Sequence, residues 1–190
     1  MANTNSQRTR KTTTRKASAD AVQENISAET TTAENTSAKT IIPKDIDPNQ
    51  YVTVRNGFQG RLVYRSRKTG EMYVWDEFGA EQEMELLELK NAKNSYKKFF
   101  VNNWFMFDED WIIDYLGVRQ FYKNAIPIDG FDNIFSMKPA ELKRTVNALS
   151  DGQKKSVAYR AKELITAKKI DSLSVIEVLE NALKIELIEK

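Results

Sequence analysis

Two groups of neighbouring carboxylates are the residues of this chain whose types and spacing could do chemistry. The pair Asp76-Glu77 could in principle serve a hydrolase of the kind that works with two acids. These residues stand directly before Phe78-Gly79, so we interpret them as turn residues. The run Asp108-Glu109-Asp110 could supply metal ligands, but adjacent residues fan out around a helix, and capping of a helix start explains all three.

Histidine and cysteine are absent from the 190 residues. Histidine is the usual general base near neutral pH and the commonest metal ligand. Without cysteine there is no disulfide, no thiolate nucleophile and no Cys-based metal site. Gly57-Phe58-Gln59-Gly60 lacks the Lys and Ser or Thr of a phosphate loop. The sequence therefore predicts a non-enzymatic protein without a cofactor; an active site built on Lys or on carboxylates is the remaining enzymatic alternative.

The aromatic residues divide the chain into two parts, because all nineteen lie between Tyr51 and Tyr159. A segment with few large apolar side chains cannot offset the entropy that is lost when its backbone is ordered. Residues 1–50 are therefore predicted to form a flexible, disordered polar arm. Residues 51–190 are predicted to form a compact body.

The predicted arm is polarised in charge, with a basic tip at residues 1–20 and a mildly acidic stem at residues 21–50. We predict that the tip contacts nucleic acid or an acidic protein surface through its five cations, which are Arg8, Arg10, Lys11, Arg15 and Lys16. The alternative is a solvated tail without a specific target. Ile41 and Ile42, which precede Pro43, are predicted to be apolar anchors that lead into the body.

The first half of the body, residues 51–107, predicts a small β-rich unit with a short helix. Strand-forming runs occur at 51–55, 61–65, 72–75 and 81–84, separated by glycine-containing turns. A helix is expected over 85–92. The aromatic-rich stretch that follows predicts core, with a return strand over 104–107. The alternative is a partner-binding surface, in which Trp104 and Phe105 would be contacts if they are exposed.

The second half, residues 108–190, predicts a helical region. Asp108 is expected to cap a helix that Gly117 ends, and a further helical turn follows over 118–124. Pro139 fits the first position of a helix, and Ser150 with Gln153 matches a capping box. The last helix is expected to begin near Ser172 and to carry apolar residues such as Leu173, Ile176 and Leu179. An excess of cations over 141–171 indicates a possible nucleic-acid-binding face, with solvated helix faces as the simpler interpretation.

The order of these features resembles that of small virion-associated proteins of tailed bacteriophages. The resemblance rests on short strands with Val54, the run Trp75-Asp76-Glu77-Phe78-Gly79, Leu86-x-x-Leu89, Phe99-Phe100 and a small helical region after them. It implies a structural protein of the particle near the capsid, portal or neck, located in the virion and in the host cytoplasm during assembly. It implies no catalytic residue.

Together these observations predict an α+β fold, with a small antiparallel β meander followed by a compact helical region. The predicted function is that of a non-enzymatic structural or assembly protein of a phage particle. Its predicted partners are other virion proteins, in a larger assembly. The alternative is a small nucleic-acid-binding accessory protein that uses the basic arm and the C-terminal helices. No apolar run approaches the roughly 20 residues that cross a bilayer, so no membrane partner is predicted.

Overall fold

The computed structural model of the chain describes Pro43 and residues 45–188. These residues form antiparallel sheets and several helices, which confirms the predicted α+β class. Of the predicted arm, residues 1–42 and 44 fall outside the described residues. Residues 45–50 are ordered against the body, where Ile46 packs on apolar residues and Pro48 and Gln50 accept backbone hydrogen bonds from Leu87 and Leu86.

Five strands make up two small sheets: β1 (Tyr51–Asn56), β2 (Leu62–Arg65), β3 (Met72–Trp75), β4 (Glu81–Glu85) and β5 (Phe105–Met106). In the first sheet β1 lies between β4 and β5, and all pairs are antiparallel, with Val52 opposite Met84. The second sheet is the β2–β3 hairpin, with Leu62 opposite Trp75. The four predicted strands and the predicted return strand are all present. In the chain, the β2–β3 hairpin lies between β1 and its partner β4.

The helices are α1 (Leu86–Ser95), α2 (Lys98–Val101), α3 (Asp110–Leu116), α4 (Arg119–Tyr122), a 3-10 helix (Phe131–Ser136), α5 (Pro139–Ala148), α6 (Asp151–Thr166) and α7 (Leu173–Leu183). The short helix α2 was not predicted. Pro139 occupies the first turn of α5, where its missing N–H removes no intrahelical hydrogen bond. Gly117 ends α3 with a φ of 64°, a left-handed conformation that favours glycine.

Two local predictions, at Asp108 and at Gln153, are corrected by long-range contacts. Asp108 does not cap α3, which begins at Asp110; its carboxylate accepts a hydrogen bond from Arg55 instead. Ser150 accepts a hydrogen bond from the backbone N–H of Gln153 as predicted, but the Gln153 side chain bonds to Ile126 rather than to the helix start. Leu173 is 70% exposed, because it stands at the first position of α7, ahead of the buried face of that helix.

Two apolar cores lie within one compact unit. The first joins both sheets to α1–α4, and the second joins the 3-10 helix to α5–α7. The boundary falls between Tyr122 and Ile126 rather than at residue 107, because Ile112 and Leu116 of α3 pack on the β-rich core.

The start of α6 connects the two cores through a close backbone approach. A Cβ atom at Gly152 would lie 2.1 Å from the carbonyl oxygen of Asn102, so only glycine fits there. The buried Gln153 side chain binds both backbone groups of Ile126, accepting from its N–H at 3.0 Å and donating to its C=O at 2.8 Å. This junction holds α6 in a fixed position against the segment that follows α2.

A second contact of α6 reaches the turn between β1 and β2. The buried Ser156 hydroxyl donates to the carbonyl oxygen of Gly57 at 3.0 Å and accepts from the N–H of Gln59 at 3.3 Å. Gly57 also lies against the segment that follows α2, since a Cβ atom at Gly57 would lie 2.1 Å from the carbonyl oxygen of Asn103. Three distant parts of the chain therefore meet at this point.

Candidate functional site

A polar groove of about 790 Å³ lies between the two cores. Its walls are the β1–β2 turn, the β3–β4 turn, the loop before the 3-10 helix, and α6. Asp76 and Glu77, which the sequence identified as turn residues, lie at the rim of the groove. Asp76 forms an ion pair with Arg61. The chemistry of the groove depends on two arginines, Arg55 and Arg160.

Arg55 projects from β1 and ties the β-rich core to the loop before the 3-10 helix. Its Nη1 donates to Asp108 at 3.1 Å and to Asp129 at 3.0 Å, and its Nη2 donates to the other oxygen of Asp129 at 3.1 Å. The hydrogen bond to Asp129 is the main reason that the pKa of Arg55 is raised, and the same bond lowers the pKa of Asp129. Glu81 forms a third ion pair, at 3.4 Å from Nε, so the guanidinium is engaged by three carboxylates and acts as a clamp.

Arg160 on α6 makes the second clamp. It binds Asp132 in a bidentate manner, at 2.8 Å from Nε and 2.5 Å from Nη2, and its Nη1 donates to Glu163 at 2.9 Å. The hydrogen bond from Arg160 lowers the pKa of Asp132. A carboxyl group with a lowered pKa stays ionised near neutral pH, so Asp129 and Asp132 suit ion pairing rather than proton donation.

We expect Asp132→Asn to make the protein less stable at pH 6 and the difference to shrink as the pH is lowered towards 2. The pKa of Asp132 is lowered from its ordinary value of 3.8 by Arg160, so the stabilisation is present above that value and is lost as pH falls through the folded-state pKa. The side chains are partly exposed, so the difference at pH 6 should stay below about 1 kcal/mol. Thermal unfolding of both proteins between those pH values measures it. A difference that does not change with pH would contradict this assignment, and Asp76→Asn is the control for an exposed carboxylate.

A surface that combines cations with aromatic rings lies around the junction of α1 and α2. We call it the α1–α2 surface and define it by Arg67, Tyr96, Lys97, Lys98 and Trp104. The guanidinium carbon of Arg67 lies 4.6 Å from the centre of the Tyr96 ring, and Lys98 Nζ lies 5.7 Å from that of Trp104. The three cations are exposed and the two rings are half-buried.

The rings of the α1–α2 surface rest on a continuous aromatic cluster. Phe99 is buried beneath them, with its ring centre 6.2 Å from that of Tyr96 and 5.5 Å from that of Trp104. Phe58 meets Trp104 edge-on at 6.1 Å. Lys97 Nζ lies 5.2 Å from the ring of Phe121, which extends the surface towards α4. The rings are thus supported by packing from below.

Of the predicted body contacts, Phe105 does not meet the condition that it is exposed. It is fully buried, with its ring centre 4.8 Å from that of Phe99 and 5.4 Å from that of Trp75. Trp104, its neighbour in sequence, is half-buried and remains a candidate contact. The predicted contacts in the arm lie outside the described residues; these are Arg8, Arg10, Lys11, Arg15, Lys16, Ile41 and Ile42.

The sequence prediction placed cationic contacts in the arm and the C-terminal helices and missed those of the α1–α2 surface. A local signal was available, because Tyr96-Lys97-Lys98 places an aromatic residue beside two cations. The C-terminal helices do present cations, since α6 exposes Lys155 and Lys162 on one face, with the Tyr159 ring between them in sequence. That face holds one exposed ring, whereas the α1–α2 surface holds two half-buried rings supported by Phe99.

The outer face of the β2–β3 hairpin exposes apolar side chains, with Arg65 on the same face opposite Met72. Met72 is 61% exposed and Val63 is 43% exposed, and Val63 lies directly opposite the half-buried Val74. Gln82 donates to the carbonyl oxygen of Val74 at 3.0 Å, so the backbone of Val74 points away from β2. In an antiparallel pair, directly opposite residues point their backbone groups the same way relative to their partner, so the N–H and C=O of Val63 point away from β3. No described strand pairs with that edge of β2.

Metal and membrane sites are not found in the part of the chain that the structure describes. No group of three or more acidic, histidine or cysteine residues there could hold a metal ion. None of the described helices is both long enough and apolar enough to span a bilayer. Comparison of the chain with models of known protein families, with curated proteins and with solved structures gives no match.

Proposed function

We propose that this chain is a non-enzymatic assembly protein that docks onto another subunit of a tailed-bacteriophage particle through the outer face of its β2–β3 hairpin. The exposed apolar side chains of Val63 and Met72 are the observation that carries the docking role. Solvent-facing positions of antiparallel strands are usually polar. The assignment to a phage particle rests on the resemblance in the order of strands and helices.

The proposed occupant of this surface is an extended apolar segment of the partner subunit. The free edge of β2 offers the backbone groups of Val63, to which such a segment could add as a further strand. Its side chains would then cover Val63, Val74 and Met72. Main-chain hydrogen bonds would provide affinity, and the apolar contacts would select the segment.

The arm has a second role in this proposal, as a tether to neighbouring subunits or packaged nucleic acid. Its contacts would be the five cations of the basic tip by charge, with Ile41 and Ile42 as apolar anchors. A segment that gains order only on binding can cover a large surface on its partner. The folded body and the arm would therefore contribute separately to assembly.

We expect the double substitution Val63→Asn and Met72→Gln to reduce incorporation of the full chain into particles at least about tenfold, since apolar contact and its cooperativity with strand addition are lost. Particles purified from cells that make the chain would be analysed by quantitative mass spectrometry. Wild-type protein should be present at a fixed ratio to the major shell protein.

The matched control is Leu173→Gln, which removes an exposed apolar side chain from α7. Circular dichroism of each variant establishes that it is folded. If the folded double variant enters particles as well as the control does, the hairpin is not the docking surface. If the wild-type chain is absent from particles, the assembly role is wrong.

A further inference from the structure

We infer that the α1–α2 surface binds single-stranded nucleic acid. This inference goes beyond the proposed assembly role and does not depend on it. It places the binding site on the folded body, whereas the sequence alone pointed to the arm and to the C-terminal helices.

The first argument is unpaired positive charge. Arg67, Lys97 and Lys98 are exposed, and none of them forms an ion pair with a carboxylate among the described residues. The preceding lysines of α1 are engaged differently, since Lys90 Nζ contacts the Tyr115 hydroxyl and Lys93 Nζ contacts the Leu116 carbonyl oxygen. Three cations thus remain available for phosphate groups, which are the usual contacts that position a nucleic-acid strand.

The second argument is the presence of aromatic rings between these cations. Tyr96 and Trp104 are half-buried, and Phe99 meets both rings edge-on. Bases of a single strand stack on such rings with little dependence on sequence. Arg67 lies over the Tyr96 ring at 4.6 Å and Lys98 lies over the Trp104 ring at 5.7 Å, so a base that stacks on either ring would displace the cation towards its own phosphate. One nucleotide can therefore bind through its base and its phosphate together.

The rings also favour a single strand over other polyanions. Bases in a duplex are stacked on each other and cannot reach Tyr96 or Trp104 without being unstacked. An acidic protein segment would use the cations alone and would leave the rings without a partner. The combination of supported rings and unpaired cations is thus matched best by an unpaired, flexible polynucleotide.

The test uses the full chain and a fluorescein-labelled oligothymidylate of about 20 nucleotides, followed by fluorescence anisotropy at several salt concentrations. We expect Lys97→Gln with Lys98→Gln to weaken binding about tenfold at low salt. The slope of log affinity against log salt should fall by about 1.4, because two phosphate contacts on a single strand are lost. Binding by this variant as tight as that of the wild type would overturn the inference.

The matched control is Lys138→Gln with Lys184→Gln, which makes the same change in net charge at exposed positions outside both the α1–α2 surface and residues 141–171. It should alter binding less than about twofold, because only long-range electrostatics is affected. A second variant neutralises all five cations of the basic tip by substitution with Gln. If that variant loses all binding and the α1–α2 variant loses none, the site lies in the arm and the inference is wrong.

Fluorescence of tryptophan supplies a readout of stacking that a general loss of charge would not change. Trp75 is fully buried and Trp111 lies in α3 outside the α1–α2 surface, so the quenching by the oligonucleotide is assigned to Trp104 by its loss in a Trp104 variant. Trp104→Phe keeps a ring at this position and should remove most of the quenching. Unchanged quenching in that variant, or a polyglutamate of equal length that competes as well as oligothymidylate, would contradict base stacking on this surface.

Discussion

Replacing Gly152 with alanine is expected to lower the free energy of unfolding by about 3 kcal/mol. The added Cβ atom would lie 2.1 Å from the carbonyl oxygen and 2.6 Å from the Cβ atom of Asn102, and a backbone atom cannot move aside as the end of a side chain can. The start of α6 would have to shift, which also strains the hydrogen bonds of Gln153 and Ser156. Urea denaturation of the full chain measures the change.

The sign of this effect makes the experiment decisive. Gly152 lies within α6, where helix propensity alone predicts that alanine stabilises by up to about 1 kcal/mol. The close contact with Asn102 predicts instead that alanine destabilises the protein. Gly70→Ala is the control, because Gly70 has a positive φ of 79° but no atom within 4 Å of an added Cβ, so it should cost only about 1 kcal/mol from backbone strain. A neutral or stabilising Gly152→Ala would show that the two cores are not joined through this contact.

Replacing Phe105 with alanine is expected to destabilise the protein by about 4 kcal/mol, within the range found for buried phenylalanines. The ring is fully buried at the centre of the β-rich core, where it contacts the rings of Tyr64, Trp75, Phe99 and Phe100. Removal of the ring leaves a cavity whose rigid aromatic walls cannot collapse. The free energy of unfolding in urea provides the measurement.

The control for Phe105 is Val101→Ala, a truncation of an exposed apolar side chain in the same segment, which should change stability by less than about 1 kcal/mol. The comparison separates burial from composition, since both residues belong to one aromatic-rich stretch. A loss for Phe105→Ala no larger than for the control would contradict its place in the core. It would also reopen its assignment as a partner contact.

The elements that the sequence predicted correctly are those with local causes. Runs of strand-forming residues predicted β1 and the two hairpin strands. Gly117 ended a helix because its left-handed conformation is easy without a side chain, and Pro139 began one because it lacks an N–H. Each of these depends on a few neighbouring residues, so a short window of sequence contains the information.

The predictions that needed correction depend on contacts between distant segments. Asn56-Gly57 predicted a turn, and Asn56 does organise one through bonds to Gly60 and Glu77, but Gly57 is needed because the Asn103 carbonyl oxygen lies against it. Asp108 has the right type and position to cap a helix, yet Arg55 takes its carboxylate. In both cases the role of the residue is decided by a partner from a distant segment, Asn103 for Gly57 and Arg55 for Asp108.

The candidate surfaces show the same division between local and long-range causes. The neighbours Tyr96, Lys97 and Lys98 are adjacent in sequence, so their chemistry was visible before folding. Arg67 joins them only because the β2–β3 hairpin folds back over the end of α1 and brings its guanidinium to the Tyr96 ring.

The sequence did not distinguish Trp104 from Phe105, because it allowed each of them to be either a core residue or a partner contact. The amino-acid sequence by itself determined the composition of this aromatic segment and the positions of the strands and helices around it. Only the tertiary structure decided that Phe105 is enclosed by Tyr64, Trp75 and Phe99 while Trp104 stays at the edge. The physical reason is that burial depends on which distant surfaces pack together, whereas strand and helix formation depends mainly on the neighbouring residues.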